Sequence, residues 1–295
     1  MAARRLHVLV AISLRTYASQ TCAQDDALGC TLCSRHYECK QGCANMPTMP
    51  PAAMLEVMRG KHVQFWGDST SAQMECDLRG ALDRVAAPTP LNNASRYWRS
   101  LGSSYARGAF SSSYHRVGCP WHCARDGSEE QRQAALVARG RRATHVVFNL
   151  GEHYRKNHTE RMPSAIRHFA AALAQLDATI VIRSSSVTHF PTATGEFSDR
   201  SGAIGQCAPR AVGTAPRPWA DVYLRQMQAL LANHSRPVLY LDVRQASDDY
   251  TQHPKYKDGQ PFSGDCLHFC QDCVSGVLRA WNSALLGRLR DLGRR

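Results

Sequence analysis

The sequence predicts an α/β protein whose mostly parallel sheet is covered by helices on both faces. Short runs of β-branched and aromatic residues, typical of buried strands, alternate along the chain with longer amphipathic stretches typical of helices. The chain has 295 residues, 43% of them hydrophobic and 20% charged, so it can bury one large core. This composition excludes a mainly disordered protein, a fibrous repeat and a polytopic membrane protein.

Strands and helices are predicted in regular alternation. The strands are expected at 62–66, 143–150, 178–183 and 237–242. The helices are expected after Ser69 as far as Leu82, and at 128–140, 163–176, 219–232 and 274–292. Ser128 and Gln131 form a capping box for the second helix, and Gly140 suits its end. The stretch 85–127, rich in serine, glycine and arginine, is predicted to be a loop that forms a functional surface over an active site.

The first fifty residues divide into two segments. In residues 1–20, arginines precede an apolar run from Leu6 to Leu14 and small residues follow, which is the order of a secretory signal peptide; an ordinary N-terminus is the alternative. Residues 21–50 hold five cysteines and end in a proline-rich linker. Residues 51–295 are the predicted catalytic domain. No run approaches the roughly 18–20 apolar residues of a spanning helix, so we expect no transmembrane span.

Twelve cysteines favour an oxidising compartment, because cytosolic proteins seldom keep so many without a metal. Glycosylation sequons at Asn93, Asn157 and Asn233 favour the same compartment. We therefore expect a secretory-pathway or secreted protein with up to six disulfides. The clusters that favour zinc instead are Cys30, Cys33, Cys39 and Cys43, and Cys266, His268, Cys270 and Cys273. We expect no metal, because a catalytic His268 is not available as a ligand.

The net charge of +12 does not indicate nucleic-acid binding. Arginines are spread from Arg4 to Arg295, and no basic helix carries interleaved aromatic residues. A basic surface can still attract acidic polysaccharides over long distances. We therefore expect a glycan partner and no nucleic acid.

Residue types used in acyl transfer follow three of the predicted strands. Ser69 comes just after the strand at 62–66, Asn149 closes the next strand, and Asp265 and His268 lie in the long loop after the last one. The carboxyl ends of parallel strands share one edge of the sheet, and ligands bind there. The sequence therefore predicts that these side chains meet in one site.

Each of these residues has a role in acyl transfer. A serine hydroxyl is a poor nucleophile until a base takes its proton, and His268 is the candidate base for Ser69. Asp265 precedes His268 by three positions, so on one helical turn its carboxylate can hold one imidazole nitrogen while the other faces the serine. The Ser69 amide, near a helix N-terminus, and the Asn149 side chain are the candidate oxyanion donors.

Several segments, in order, carry a resemblance to a known family. They are 54–61 followed by Val-Gln-Phe-Trp-Gly-Asp-Ser-Thr-Ser, Val147–Tyr154, Ile182–Phe190 with Gly205–Cys207, Leu241–Asp242 with His253–Pro254, Asp265–Cys270, and Trp281–Asn282. They resemble the trichome birefringence-like (PC-esterase) family of the SGNH/GDSL superfamily. The resemblance covers roughly residues 54 to 290, nearly the whole predicted catalytic domain.

The resemblance implies a three-layer α/β/α SGNH-type sandwich and a Ser69, Asp265, His268 triad that works through an acyl-serine intermediate. Plant members of the family are mostly Golgi enzymes that add O-acetyl groups to cell-wall polysaccharides, whereas relatives in the superfamily remove acetyl groups. Ala72 is a departure, since plant members usually have arginine there. The family's usual N-terminal domain and membrane anchor are not recognisable in this sequence.

We therefore expect an O-acetyltransferase that acts on polysaccharide or glycan hydroxyls, in the Golgi lumen or secreted. A carbohydrate acetylesterase and a catalytically silent glycan-binding protein are the alternatives. The reaction requires an acetyl donor but no bound cofactor. Arg183 and Tyr154 are candidates for substrate binding, although a buried ion pair is an equal alternative for Arg183. His189 and His253 are expected to be structural.

Overall fold

The protein is described here by a computed structural model. It describes residues 37–38, 46–83, 85, 102–107, 110–116, 129–150, 162–192, 207–209, 218–248, 251, 253, 255–256, 266–269 and 276–294. Four of the predicted site residues lie outside these ranges: Asn93, Tyr154, Asn157 and Asp265. The predicted signal peptide and the cap residue Ser128 lie outside them as well.

The described chain contains both strands and helices in alternation. The strands are β1 (Tyr37–Glu38), β2 (His62–Gly67), β3 (Gly102–Arg107), β4 (Phe110–Arg116), β5 (His145–Phe148), β6 (Thr179–Arg183), β7 (Val238–Leu241) and β8 (Lys255–Tyr256). The helices are α1 (Pro51–Met58), α2 (Ser69–Asp83), α3 (Glu129–Gly140), α4 (Met162–Leu173), α5 (Pro218–Leu230) and α6 (Val277–Leu292).

The main sheet has the strand order β3-β4-β2-β5-β6-β7. Its last five strands are mutually parallel, and β3 pairs antiparallel with β4 at the edge. From β2 the chain goes to the edge strand β3 and comes back to β4, which lies beside β2. It then crosses over to add β5, β6 and β7 on the other side of β2. In doubly wound sheets this reversal opens a crevice between the first strand and its later neighbour, at their carboxyl ends. Here that place lies between the ends of β2 and β5.

The sheet separates two hydrophobic cores, as side chains along a strand alternate between its faces. On one face, Val63 and Phe65 of β2 belong to a core shared with α1, α2 and α6. On the other face, Trp66 of β2 and Phe148 of β5 belong to a core shared with α3, α4 and α5. The protein is therefore a three-layer α/β/α sandwich, which confirms the predicted fold class.

A buried ion pair joins α2 to α6 within the first of these cores. The Arg279 guanidinium donates Nε and Nη2 to the two carboxylate oxygens of Asp77, at 3.0 and 3.1 Å. Asn282 Nδ2 adds a hydrogen bond of 2.8 Å to Asp77 Oδ2 and another of 2.9 Å to Met74 O. This two-pronged geometry satisfies the charges away from water and fixes how α6 lies on α2.

The predicted strands and helices are present, with ends that differ by a few residues. The helix predicted at 163–176, for example, runs from Met162 to Leu173. Within the described parts of the chain, no helix combines the length and apolarity needed to cross a bilayer.

The prediction of a loop throughout 85–127 is wrong. The stretch contains β3 and β4, which pair antiparallel from Gly102↔His115 to Arg107↔Phe110. The hairpin was not predicted because its strands contain several serines and no β-branched residue, so they lack the usual sequence signal of a strand. Ser112 is nevertheless buried on β4 and donates a hydrogen bond of 2.7 Å to Glu75 of α2, so the neighbouring helix supplies the polar partner that the strand needs.

Candidate active site

The turn at Gly67-Asp68-Ser69 joins β2 to α2 and makes Ser69 the first residue of the helix. Asp68 caps that helix, because its Oδ1 accepts hydrogen bonds from Thr70 N at 3.0 Å and from Thr70 Oγ1 at 2.6 Å. Its main-chain carbonyl accepts from the amides of Ser71 and Ala72. The capped turn fixes Ser69 at the positive end of a helix, where developing negative charge is stabilised.

Gly67 is required by the tightness of this turn. A Cβ atom added at Gly67 would lie 2.1 Å from Ser71 Oγ and 2.8 Å from Ser71 Cβ, with Asn149 O at 3.3 Å. Only a hydrogen fits in that space. The glycine therefore lets the first turn of α2 fold back onto the end of β2 and places β5 next to it.

His268 meets Ser69 at this turn. His268 Nε2 lies 2.6 Å from Ser69 Oγ, within hydrogen-bond distance, and both side chains are half-buried. With the imidazole neutral, the serine hydroxyl donates and Nε2 accepts. This is the geometry that a base needs to take the proton from a nucleophile, and the structure brings together two of the predicted site residues.

Residues 266–269, here called the His268 segment, are held by three sets of contacts. Gln73 of α2 pairs with both main-chain groups of Phe269, accepting from its N–H at 3.2 Å and donating to its carbonyl at 2.9 Å. His253 Nδ1 lies 2.5 Å from the main-chain carbonyl of His268. A disulfide joins Cys266 to Cys207. These contacts therefore fix the main chain that carries the His268 imidazole.

A second histidine continues from His253. His189 Nδ1 lies 2.7 Å from His253 Nε2, and both rings are buried. Because the His268 carbonyl can only accept, His253 Nδ1 carries the hydrogen; in the neutral ring its Nε2 then accepts from His189 Nδ1. His189 also donates its main-chain N–H to Cys266 O at 3.0 Å. Both histidines thus act as structural supports of the His268 segment.

Arg183, at the end of β6, is fully buried behind the nucleophile turn. Its Nη2 lies 2.8 Å from Thr70 Oγ1 and 3.2 Å from Ser71 Oγ, and its guanidinium carbon lies 5.0 Å from the Trp281 ring centroid. These contacts place a positive charge beneath the first turn of α2 and make Arg183 a support of Ser69. A direct contact between Arg183 and substrate stays a prediction.

Asn149 closes β5 directly beside the turn, and its main-chain N–H donates to Trp66 O at 2.9 Å. Its side chain is fully buried, with Nδ2 at 3.4 Å from both Arg183 O and Ser184 O. These contacts are long for hydrogen bonds, so the amide is only weakly engaged. The structure places Asn149 at the predicted crevice, and its role as an oxyanion donor stays a prediction.

The remaining predicted residues divide between the surface and the undescribed stretches. Asn233 is exposed just after α5, so its sequon is accessible. Asp265, Tyr154, Asn93 and Asn157 lie outside the described residues, and their roles stay predictions.

The described cysteines bear on both the disulfide prediction and the zinc alternative. Cys76 is a buried thiol in α2 that accepts a long contact of 3.7 Å from Arg79 Nη2. The other eleven of the twelve cysteines allow at most five disulfides within the chain, so the upper limit of six is not reached. Cys266 is paired with Cys207, so its sulfur is not available to the zinc cluster considered around His268.

Gln73 and Asp68 belong to the site but were not predicted from the sequence. Both have a local signal: Asp68 is a favoured capping residue directly before a helix, and Gln73 lies four positions after Ser69, on the same helical face. Nothing local in the sequence links Gln73 to Phe269, since the two are 196 positions apart.

Comparison with known proteins found likeness in structure but not in sequence family. No protein-family model matches the chain, and no curated protein matches it significantly. Among solved structures, it is similar to the periplasmic domain of the lipopolysaccharide acetyltransferase of Salmonella ser. Paratyphi A. The identity is 12% and the TM-score 0.38, over 85% of this chain and 91% of that chain.

Proposed function

We propose that the protein is an acyl-transfer enzyme of the secretory pathway that acts on glycan hydroxyl groups, and that its activity is O-acetyl transfer. The observation that carries the proposal is the 2.6 Å separation of Ser69 Oγ and His268 Nε2 at the carboxyl edge of the sheet. The glycan and acetyl parts rest on the resemblance of the sequence segments to the PC-esterase family. The Cys207–Cys266 disulfide supports an oxidising compartment.

The first half of the reaction transfers the acetyl group to the protein. Ser69 Oγ attacks the carbonyl carbon of the acetyl donor while His268 Nε2 takes the hydroxyl proton. The resulting oxyanion lies near the N-terminus of α2, where the Ser69 amide and Asn149 Nδ2 are the proposed donors. The intermediate collapses, the donor's leaving group takes the proton from His268, and an acetyl-serine remains.

The second half of the reaction transfers the acetyl group to the acceptor and regenerates the free Ser69 hydroxyl. A glycan hydroxyl gives its proton to His268 Nε2 and attacks the acetyl carbonyl, and the protonated imidazole then returns that proton to Ser69 Oγ as the new ester departs. Asp265 is proposed to hold the other imidazole nitrogen and to stabilise the imidazolium. Water in place of the glycan hydroxyl gives acetylesterase activity by the same steps.

An acceptor experiment tests the proposal. The purified protein is incubated with an acetyl donor, either p-nitrophenyl acetate or acetyl coenzyme A, with and without a panel of neutral and uronic-acid oligosaccharides. Mass spectrometry should find acetylated oligosaccharide with the wild-type protein and with Ser164→Ala, an exposed serine of α4. Ser69→Ala should give none.

The outcomes separate the candidate functions. Release of acetate without acetylated sugar supports the esterase instead. Binding of oligosaccharide with no turnover of any donor supports the catalytically silent glycan-binding protein and contradicts an enzymatic role.

A further inference from the structure

The His268 segment is tied to the same helix that carries its partner serine. Ser69 is the first residue of α2, and Gln73 lies four positions later, one helical turn further along and on the same face. The two side chains are therefore separated by a rigid helical step of about 6 Å along the axis. A contact from Gln73 to the His268 segment therefore fixes the distance of that segment from Ser69.

Gln73 makes this contact with both ends of its amide. Nε2 donates to Phe269 O at 2.9 Å, and Oε1 accepts from Phe269 N at 3.2 Å. The Gln73 side chain is fully buried, so water does not compete for either hydrogen bond. Two bonds from one planar amide fix both the position and the orientation of the Phe269 main chain, and through it the adjoining His268.

The far side of Phe269 is also filled. Its ring stacks on His253 with centroids 4.6 Å apart and meets Trp281 edge-on at 5.3 Å. Phe269 is fully buried between these rings, so the residue that Gln73 holds has little room to move. The two hydrogen bonds from Gln73 therefore fix the position of the His268 backbone.

We propose that Gln73 is a positioning residue that sets the distance between Ser69 Oγ and His268 Nε2. It acts through its two hydrogen bonds to the Phe269 main chain. It holds the main chain of residue 269 so that the imidazole meets the serine in the orientation for proton transfer. This inference rests on the proposed acyl-transfer function and adds a residue to it.

Two substitutions separate positioning from stability. Gln73→Met keeps the length of the side chain and removes both hydrogen bonds. Gln73→Glu keeps the acceptor for Phe269 N–H and retains a donor only when its carboxyl is protonated, so it should fall between Met and the wild type. Ser112→Ala is the matched control, since it removes a different buried hydrogen bond of α2, the one to Glu75, with no contact to the His268 segment.

The measurements are the rate at which p-nitrophenyl acetate acylates Ser69, the KM for that ester, and hydrogen exchange at the Phe269 amide. For Gln73→Met we expect the acylation rate to fall by about 10- to 100-fold, the loss typical of a small misplacement of reacting groups. KM should stay near the wild-type value, and the Phe269 amide should exchange faster. Ser112→Ala should lose thermal stability and keep the acylation rate of its folded fraction.

The results distinguish this inference from the proposed function. If wild-type protein is acylated and folded Gln73→Met is acylated equally fast, the positioning role is wrong while the function stands. The role is also wrong if Ser112→Ala slows acylation as much as Gln73→Met does. If the wild-type protein is not acylated at all, the proposed function fails and the positioning role fails with it.

Discussion

His268 Nε2 lies 2.6 Å from Ser69 Oγ, although 199 positions separate the two residues. The serine stands at the first turn of α2, and the histidine on a short segment ahead of α6. The packing of α2 against α6 therefore decides whether the pair forms. The ion pair of Asp77 and Arg279 and the bonds of Asn282 join the two helices, in addition to their shared apolar core. The amide of Gln73 joins α2 to the segment ahead of α6.

Removing one partner of the buried ion pair should strongly destabilise the protein. Replacing Arg279 with methionine leaves the Asp77 carboxylate buried without its cation, which costs about 3–5 kcal/mol. Urea unfolding should show this loss for Arg279→Met. The matched control is Arg290→Met, an exposed arginine of the same helix, which should cost less than 1 kcal/mol, as surface charges typically do. Equal stability of the two variants would contradict the assigned role of the pair.

Gly67 should tolerate no side chain. The Cβ of Gly67→Ala would lie 2.1 Å from Ser71 Oγ, so the nucleophile turn must shift, with an expected loss of about 1–3 kcal/mol. Because Ser69 moves with the turn, ester hydrolysis should fall as well.

Gly287→Ala is the control for Gly67→Ala. Nothing lies within 4 Å of the added methyl in α6, and the helix should gain up to about 1 kcal/mol. Thermal unfolding and ester hydrolysis of both variants measure the contrast. A Gly67→Ala protein as stable and active as the wild type would refute the close approach at the turn.

Stability should fall as the pH is lowered from 7 to 5. Burial lowers the pKa of His115 to about 4, helped by the charge of Arg139, and burial lowers the pKa of His145 to about 4, helped by Lys61. In the unfolded chain both take up protons below about pH 6.5, whereas in the folded protein they stay neutral until about pH 4. The unfolded state thus binds more protons, so stability drops, by on the order of 2 kcal/mol for each histidine.

Urea unfolding at pH 7 and pH 5 measures this loss. The control is the double variant His115→Gln and His145→Gln, whose stability should change less between the two pH values. A wild-type protein that loses no more stability than the double variant would show that these histidines are not held neutral by the fold.

Much of the site could be predicted because its parts follow strand ends. Hydrophobic runs located β2, β5, β6 and β7, and the rule that parallel strands share a carboxyl edge brought Ser69 near the His268 loop. The same reasoning placed Asn149 beside the turn, where Asn149 O lies close to Gly67.

What could not be predicted depends on partners distant in sequence. The serines of β4 predict a loop, because the sequence does not show that Glu75 of α2 accepts a hydrogen bond from the buried Ser112. The contacts of the Arg183 guanidinium with Thr70 and Ser71 could not be predicted either, because these residues lie more than a hundred positions earlier in the chain. Gln73 shares a helical face with Ser69, but its role depends on Phe269, which lies 196 positions away.

The central claim is that Ser69 is the nucleophile and His268 its base. Its most direct test is to react the folded protein with a fluorophosphonate, which labels only activated serines, and to locate the adduct by peptide mass spectrometry. We expect one adduct, on Ser69, that disappears in His268→Ala while that variant keeps its fold. No adduct on Ser69 in the wild-type protein, or undiminished labelling of Ser69 in His268→Ala, would contradict it.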